Sequence, residues 1–421
     1  MRAYELSDAD VKKLCARKSG MDGDVLRRVE DIKRRVIAGG DSALFELNKE
    51  LSNFNGALRV SSERIENATV SEELKAAIQV AASNIRKFHS SALPCRAEGK
   101  IETTPGVFCW REFRAIERVG LYVPGGTAPL FSTLLMLGIP ADIAGCREIV
   151  VCSPPPIAEE ILYVAQLLGI NEIYEVGGAQ AVFAMAYGTP SIAKVDKIFG
   201  PGNQYVMAAK MMASNDVAID MPAGPSEVMV VADDAADHAF IAADILSQAE
   251  HGPTSQCVLV CDDVDLIGKV DVEIERQLAS LSRAEIAAQA LDNSYAILVD
   301  SIGDGISFIN EYAPEHLIMQ CRGWEKYLPL IQNAGSVFCG ENVPESFGDY
   351  ASGTNHTLPT SGFAKSFGGV STISFGKWIT FQTATREGFS GLSSIVETMA
   401  EAEGLPAHSN AVRIRRKRAS A

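Results

Sequence analysis

The sequence predicts an α/β protein built on parallel sheets, with small helical segments at both ends. Two observations carry that expectation. From Gly120 onward, short β-branched runs alternate with helical segments of about ten residues, the pattern of consecutive βαβ units. The alternation then starts again after a Pro/Gly turn, MPAGPSE (Met221 to Glu227), so the chain reads as two α/β blocks. Hydrophobic residues make up 47% of the chain and charged residues 22%, enough to bury a sizeable core.

In order along the chain, the first hundred residues read as helix. GDVLRRVEDIKRRVIAGG has apolar residues at helical spacing and stops on Gly39-Gly40. SEELKAAIQVAASNIRKFHSSA repeats the pattern. VGLYV, EIVVC, EIYEV, KIFG and VAID then read as strands, with EEILYVAQLLG, AQAVFAMAYG and NQYVMAAKMMAS as helices between them. In the second block SEVMVVAD, QCVLVCDD, YAILVDS and SVFCG read as strands and DHAFIAADILSQAEHG as a helix. Beyond about Thr360 the regularity fades. TSGFAKSFGGVS leads to a helical LSSIVETMAEAEGL, and the chain ends on the basic run RIRRKRASA, read as a solvated tail.

A chain of 421 residues suggests two or three domains at about 150 residues each. The formal net charge of -15 argues against nucleic acid as the main partner and for a small-molecule ligand. MRAYELSDADVKK has no apolar stretch of the signal-peptide kind, and no run of about 18 apolar residues occurs anywhere, so no membrane partner is expected. The cysteines (Cys15, Cys95, Cys109, Cys146, Cys152, Cys257, Cys261, Cys321 and Cys339) are odd in number and form no CxxC, and most lie in strand-like runs. They are expected to be reduced and buried in a cytoplasmic protein.

Chemistry-bearing residues are few. Of the six histidines, His89 and His238 sit in polar helical contexts and are expected at the surface. The others lie in SQAEHG (His251), YAPEHL (His316), GDYASGTNH (His356) and EGLPAH (His408). Gln248 and His251 are three apart on a predicted helix and so share a face. With Asp349, read in a loop, and His408, they would make a nitrogen/oxygen site that zinc accepts. Spacing alone does not assemble these four, and a polar helix end accounts for Gln248 and His251 equally well. Glu315 and His316 are adjacent at what reads as a helix start after Pro314. They could serve two different proton transfers, or be an N-terminal carboxylate beside a packed histidine. YVPGG (Tyr122 to Gly126), VGGAQ (Val176 to Gln180) and FGPGN (Phe199 to Asn203) follow strands, where α/β proteins bind ligands, yet none is the G-x-G-x-x-G fingerprint.

These segments together resemble the histidinol dehydrogenase family, from near the start to about Val412. RVGLYVPGG, GPGNQYV, DMPAGPSEV, LSQAEHG, YAPEHL, GDYASGTNH and EGLPAH stand in family order. The resemblance implies two incomplete Rossmann-like domains. It divides the chain into an N-terminal extension (1–20), a discontinuous first α/β domain (21–121 with 228–370), a second α/β domain on the NAD side (122–227) and a C-terminal tail domain (371–421). It implies oxidation of L-histidinol to L-histidine with two NAD, the last step of histidine biosynthesis. Each subunit would hold one Zn²⁺ through Gln248, His251, Asp349 and His408. Glu315 and His316 would be the catalytic pair. Tyr122, Gln180 and Asn203 would contact NAD. Ser226, His356 and Glu403, with Ser132, would join the zinc ligands and His316 around the substrate. The family forms an intertwined homodimer, and the resemblance implies that each tail completes the partner's site.

The residue types suit that chemistry. Each hydride leaves only as a proton is removed from the attached oxygen, which calls for a base near neutrality such as His316. Hydration of the intermediate aldehyde calls for a second base, Glu315. Three alternatives stand beside this reading: a related zinc/NAD dehydrogenase acting on another small alcohol such as sulfopropanediol, an aldehyde dehydrogenase using a cysteine thiohemiacetal, and a zinc hydrolase with Glu315 activating water. An anionic sulfonate would call for Arg or Lys where Glu403 and Ser226 stand, and no cysteine sits in an electropositive motif.

Overall fold

The computed structural model describes residues 1–17, 23–93, 99–125 and 129–419. Cys95, Gly126, the expected boundary near residue 20 and the last two residues of RIRRKRASA lie outside the described residues. The chain folds into two units, Met1–Ala92 with Ile116–Phe375, and Leu93–Ala115 with Gly376–Ala421. Among the described residues, no helix is long and apolar enough to cross a membrane.

The strands in chain order are β1 (Arg2–Glu5), β2 (Ile101–Thr104), β3 (Val107–Ala115), β4 (Arg118–Tyr122), β5 (Glu148–Ser153), β6 (Glu172–Glu175), β7 (Lys197–Phe199), β8 (Ala218–Ile219), β9 (Glu227–Ala232), β10 (Gln256–Cys261), β11 (Tyr295–Leu298), β12 (His316–Gln320), β13 (Ser336–Cys339) and β14 (Gly376–Ala384).

The first unit holds two parallel sheets, ordered β1-β11-β10-β9-β12-β13 and β6-β5-β4-β7-β8. Their central strands read as continuous apolar runs because both faces are covered. On one face of the six-stranded sheet, Val228, Val230 and Leu259 pack with Ile241, Ile245, Leu246 and Ile267. On the other, Met229, Val231 and Val258 pack with Ile306, Phe308 and Tyr312. Val25, Val29, Val36, Leu44 and Leu47 of the N-terminal helices share a core with Val150 and Ile198 of the five-stranded sheet and Phe183 of the helix Gly178–Tyr187. Each sheet reverses its order once, between β4 and β7 and between β9 and β12. Such switch points leave a crevice at the strand ends.

The second unit is different in kind. β14 pairs antiparallel with β3 over nine residues, and β2 flanks β3. Trp110 stacks on Phe381 at 5.4 Å between ring centroids, a cross-strand aromatic pair. The helices Arg386–Ala402 and Pro406–Ala419 pack together, with Arg413 on Glu401 and Arg416 on Glu397.

Several expectations are corrected. Glu315 and His316 do not open a helix: His316 is the first residue of β12, because HLIMQ is apolar enough to be buried between β9 and β13. Asp349 lies on the short helix Glu345–Tyr350, not in a loop. His89 is fully buried on the inner face of the helix Glu72–Ser91, not at the surface. Cys15, Cys109, Cys146 and Cys339 are only partly buried. The basic run is the end of a helix rather than an irregular tail; residues 414–418 are exposed, as expected of a solvated run, and Arg413 and Arg416 pair with Glu401 and Glu397. β1 and the antiparallel sheet have no counterpart in the expected pattern. β1 is exposed along its whole length and carries no apolar signal.

Candidate active site

Parallel pairing places the amino ends of β9 and β12 side by side, with His316 opposite Val228. The His316 ring is buried between strands, its Nδ1 3.1 Å from the Glu227 carbonyl. A carbonyl only accepts, so Nδ1 carries the hydrogen and Nε2 keeps its lone pair. That Nε2 faces Asp349 Oδ1 at 3.7 Å. The backbone N–H of Glu227 donates to Glu315 Oε2 at 2.8 Å. One residue's peptide groups therefore hold both members of the expected catalytic pair.

Glu345 and Asp349 stand one turn apart on the helix Glu345–Tyr350. Gly348 lets this helix approach β13: a Cβ there would lie 2.7 Å from the Phe338 ring. Glu345 Oε1 lies 3.6 Å from His316 Nδ1, and its Oε2 accepts from the Ser247 hydroxyl at 3.4 Å. His356 lies on the following loop, its Nδ1 donating to the Asp349 carbonyl at 2.8 Å and its Nε2 3.1 Å from Thr133 Oγ1. Asn355 ties that loop down by donating to the Met136 carbonyl, and Ser132 lies buried on the same helix, Phe131–Ala144.

Gln248 ends the helix His238–Ala249, and His251 lies just past it rather than on it. His251 Nδ1 donates to the Ser247 carbonyl at 3.0 Å. Thus His251, His316 and His356 each have Nδ1 fixed on a backbone carbonyl, the arrangement that sets a histidine ligand or base in one tautomer, with the Nε2 lone pair of His356 accepting from the Thr133 hydroxyl.

Burial governs the electrostatics. It pushes the Glu315 carboxyl well above its usual range; the Glu227 N–H opposes this, while the charges of Glu227 and Asp349 add to it. Glu345 is pushed up for the same reason, with Asp349, Glu315 and Asp244 adding their repulsion. His316 and His356 are pushed down by burial, against the pull of Asp349. Burial thus favours the neutral form of these two imidazoles, as bases and ligands need.

A metal fits this set. Gln248 is fully buried, and neither its amide oxygen nor its nitrogen has a hydrogen-bond partner. Leaving such a group unsatisfied costs about 1–3 kcal/mol, which coordination would offset. His316, Glu345 and Asp349 also offer ligand atoms within 4.8 Å of one another. Of the expected zinc set, Gln248, His251 and Asp349 lie in the first unit. Glu403 and His408 belong to the second, both exposed, at the end of Arg386–Ala402 and the start of Pro406–Ala419. Sequence reasoning missed Glu227, Glu345 and Thr133. Glu345 had a signal, an acid four residues before Asp349, but the segment was not read as helix.

The expected NAD residues gather at the other sheet, around its switch point. The Tyr122 hydroxyl, at the end of β4, accepts the Gly178 N–H at 3.1 Å. Gln180 is buried in the helix Gly178–Tyr187 with its amide oxygen unpartnered. Asn203 follows β7 and caps the helix Gln204–Ala213, accepting from Tyr205 and Val206. Gly200 has φ of +124°, and a Cβ there would lie 2.1 Å from the Tyr122 carbonyl oxygen, so only glycine lets the chain pass. Ser226 is half-buried just before β9.

Comparison with known proteins identifies the family. The histidinol dehydrogenase family profile matches residues 15–416, so the likeness extends into the basic run beyond Val412. The histidinol dehydrogenase of Vibrio vulnificus (strain YJ016) is 53% identical over 398 residues, covering 93% of this chain and 92% of the relative. That of Vibrio cholerae is 51% identical over 419 residues, covering 97% and 96%. The crystal structure of histidinol dehydrogenase from Elizabethkingia anophelis superposes with a TM-score of 0.95 at 50% identity, covering 100% and 99% of the two chains. An acetylating aldehyde dehydrogenase from Geobacillus thermoglucosidasius, at 13% identity and a TM-score of 0.52, shares the fold alone. The chain belongs to the histidinol dehydrogenase family.

Proposed function

We propose that this chain oxidises L-histidinol to L-histidine through L-histidinal, reducing two NAD, as the last step of histidine biosynthesis in the cytoplasm. The observation that carries the reading is the arrangement of three imidazoles. Each is held through Nδ1 on a backbone carbonyl; Nε2 of His316 faces Asp349, Nε2 of His356 meets the Thr133 hydroxyl, and the buried amide of Gln248 has no partner.

Gln248, His251 and Asp349, with His408, would hold Zn²⁺, which when bound chelates the substrate's nitrogens and so fixes its carbinol carbon in place. Tyr122, Gln180 and Asn203 would hold NAD, which accepts the hydride. His316 Nε2 takes the hydroxyl proton as each hydride departs. Its Nδ1–H stays on the Glu227 carbonyl throughout, so the ring is not free to turn. Glu315, fixed through one oxygen, has the other free to accept a proton from the water that adds to the aldehyde. Burial raises the Glu315 carboxyl, which makes its carboxylate a stronger base, and lowers His316, which favours the neutral ring that receives the proton. His356, Ser226 and Ser132 would contact the substrate, and Glu403 would accept from its imidazole N–H.

Glu403 and His408 are read as serving the partner's site in a homodimer. Exposed Ile395, Val396, Met399 and Ile414 on the second unit support this, since a solvated helical pair has no use for them. A cysteine mechanism finds no support: burial pushes the thiols of Cys261 and Cys321 up to about 11, and those of Cys152 and Cys257 higher still.

The test is stoichiometric. Histidinol should yield about two NADH per molecule consumed, with histidine as product, and sulfopropanediol none. Turnover of the sulfonate alone would assign the site to a different alcohol, and hydrolysis without NADH would refute the dehydrogenase reading.

A further inference from the structure

Arg17, in the N-terminal segment, holds the side chain of Glu227, the residue whose peptide groups hold Glu315 and His316. Its Nε donates to Glu227 Oε1 at 3.0 Å and its Nη2 to Oε2 at 3.2 Å. Nη2 also donates to the Tyr312 carbonyl at 2.6 Å, and Nη1 to the Cys15 carbonyl at 2.8 Å. The guanidinium lies 3.5 Å from the Tyr312 ring centroid. Tyr312 is itself pinned, its hydroxyl donating to Gln256 Oε1 at 2.8 Å. Glu227 Oε1 also accepts the Ser361 N–H at 2.9 Å. The ion pair is buried, the Arg17 and Glu227 side chains being 9% and 1% exposed.

Burying two charges gains little stability by itself, and well-packed apolar residues often do as well. What this pair does is geometric. On a strand the side chain and the peptide groups point in different directions, so a side chain held at several points fixes the peptide plane. The Glu227 peptide groups are the ones that hold Glu315 Oε2 and His316 Nδ1. With Glu315 and His316 read as the catalytic pair, we propose that the Arg17–Glu227 clamp is a positioning device. The N-terminal segment sets, through one residue's backbone, the placement of both proton-transfer groups at once. In this role neither Arg17 nor the Glu227 carboxylate needs to touch substrate.

The test compares Arg17→Lys, Arg17→Met and the double variant Arg17→Met/Glu227→Leu with wild type. Thermal midpoint, bound zinc, and kcat and KM are measured separately for histidinol and for histidinal. Lysine cannot reproduce the fork, and misplacement of reacting groups by about 1 Å can cost on the order of a hundredfold. Both single variants should therefore lose kcat on that order in both half-reactions, with substrate KM and zinc content nearly unchanged. The double variant leaves no unpaired buried charge. It should regain the thermal stability that Arg17→Met loses, but not the kcat. Recovery of kcat together with stability would show a merely structural pair and overturn the proposal. So would an Arg17→Lys enzyme with wild-type kcat, which also decides the matter if the methionine variant does not fold. His316→Asn is the control. If it is inactive while the Arg17 variants are unaffected, the clamp alone fails; if it is fully active, the reading of the catalytic pair fails and the clamp with it.

Discussion

Replacing His89 by leucine should make the protein more resistant to acid. His89 is 0% exposed, and neither ring nitrogen has a partner. Burial alone pushes its pKa down from 6.5 to about 4. The unfolded chain therefore binds a proton near pH 6.5 that the folded chain refuses until near pH 4. The contribution of the neutral ring is fully present above about 6.5 and falls as the pH drops toward 4. Between pH 7 and pH 5 this linkage amounts to about 2 kcal/mol, at 1.36 kcal/mol per pKa unit. Leucine carries no such penalty. Denaturant unfolding of both proteins at about pH 7, 6 and 5 isolates the effect, since the other titrating groups are common to both. The two stability profiles should diverge by about 2 kcal/mol over that range, with leucine ahead in acid. Parallel profiles would mean that His89 is protonated in the fold, or finds a partner, and would refute the reasoning. The effect should extend to activity. The His89 carbonyl accepts from Thr372, and Asn84 on the same helix donates to the Ala351 carbonyl, between Asp349 and His356. Acid loosening of this helix should therefore inactivate wild type before the leucine variant.

Three further outcomes are expected. A strong chelator should abolish activity, and Zn²⁺ or another first-row divalent ion should restore it; full turnover by protein shown metal-free by elemental analysis would contradict the assignment. His316→Asn should slow both oxidations, whereas Glu315→Gln should slow mainly that of histidinal; NADH release from each substrate distinguishes them, and equal losses for Glu315→Gln would contradict the division of roles. Refolding His316→Asn together with His408→Ala should restore about a quarter of wild-type activity if tails complete partners' sites, and none if each tail serves its own subunit, provided wild type refolded alone recovers.

The parallel α/β class was legible because it rests on local pattern: buried strands such as EVMVVA and QCVLVC must be apolar on both faces, and the helices between them on one. The expected site histidines stood out by their rarity and their glycine- and acid-rich settings. What the sequence could not determine is whatever depends on partners distant along the chain. β12 begins with His316 because β9 and β13 bury it from both sides, and from YAPEHL alone the same residues read as a helix start. His89 looked polar in its own segment, but the helix face it occupies is chosen by what packs on it. Glu227 carried no local mark, and the spacing of Glu345 from Asp349 counted only once that segment was known to be helix, since their importance lies in whose atoms they face. Arg17 and Glu227 are 210 residues apart and meet through β9 and Tyr312, which no periodicity encodes. Sequence patterning determines which faces must be buried; only tertiary packing decides what those faces are buried against, and hence which nitrogen of His251, His316 and His356 is tied to the backbone.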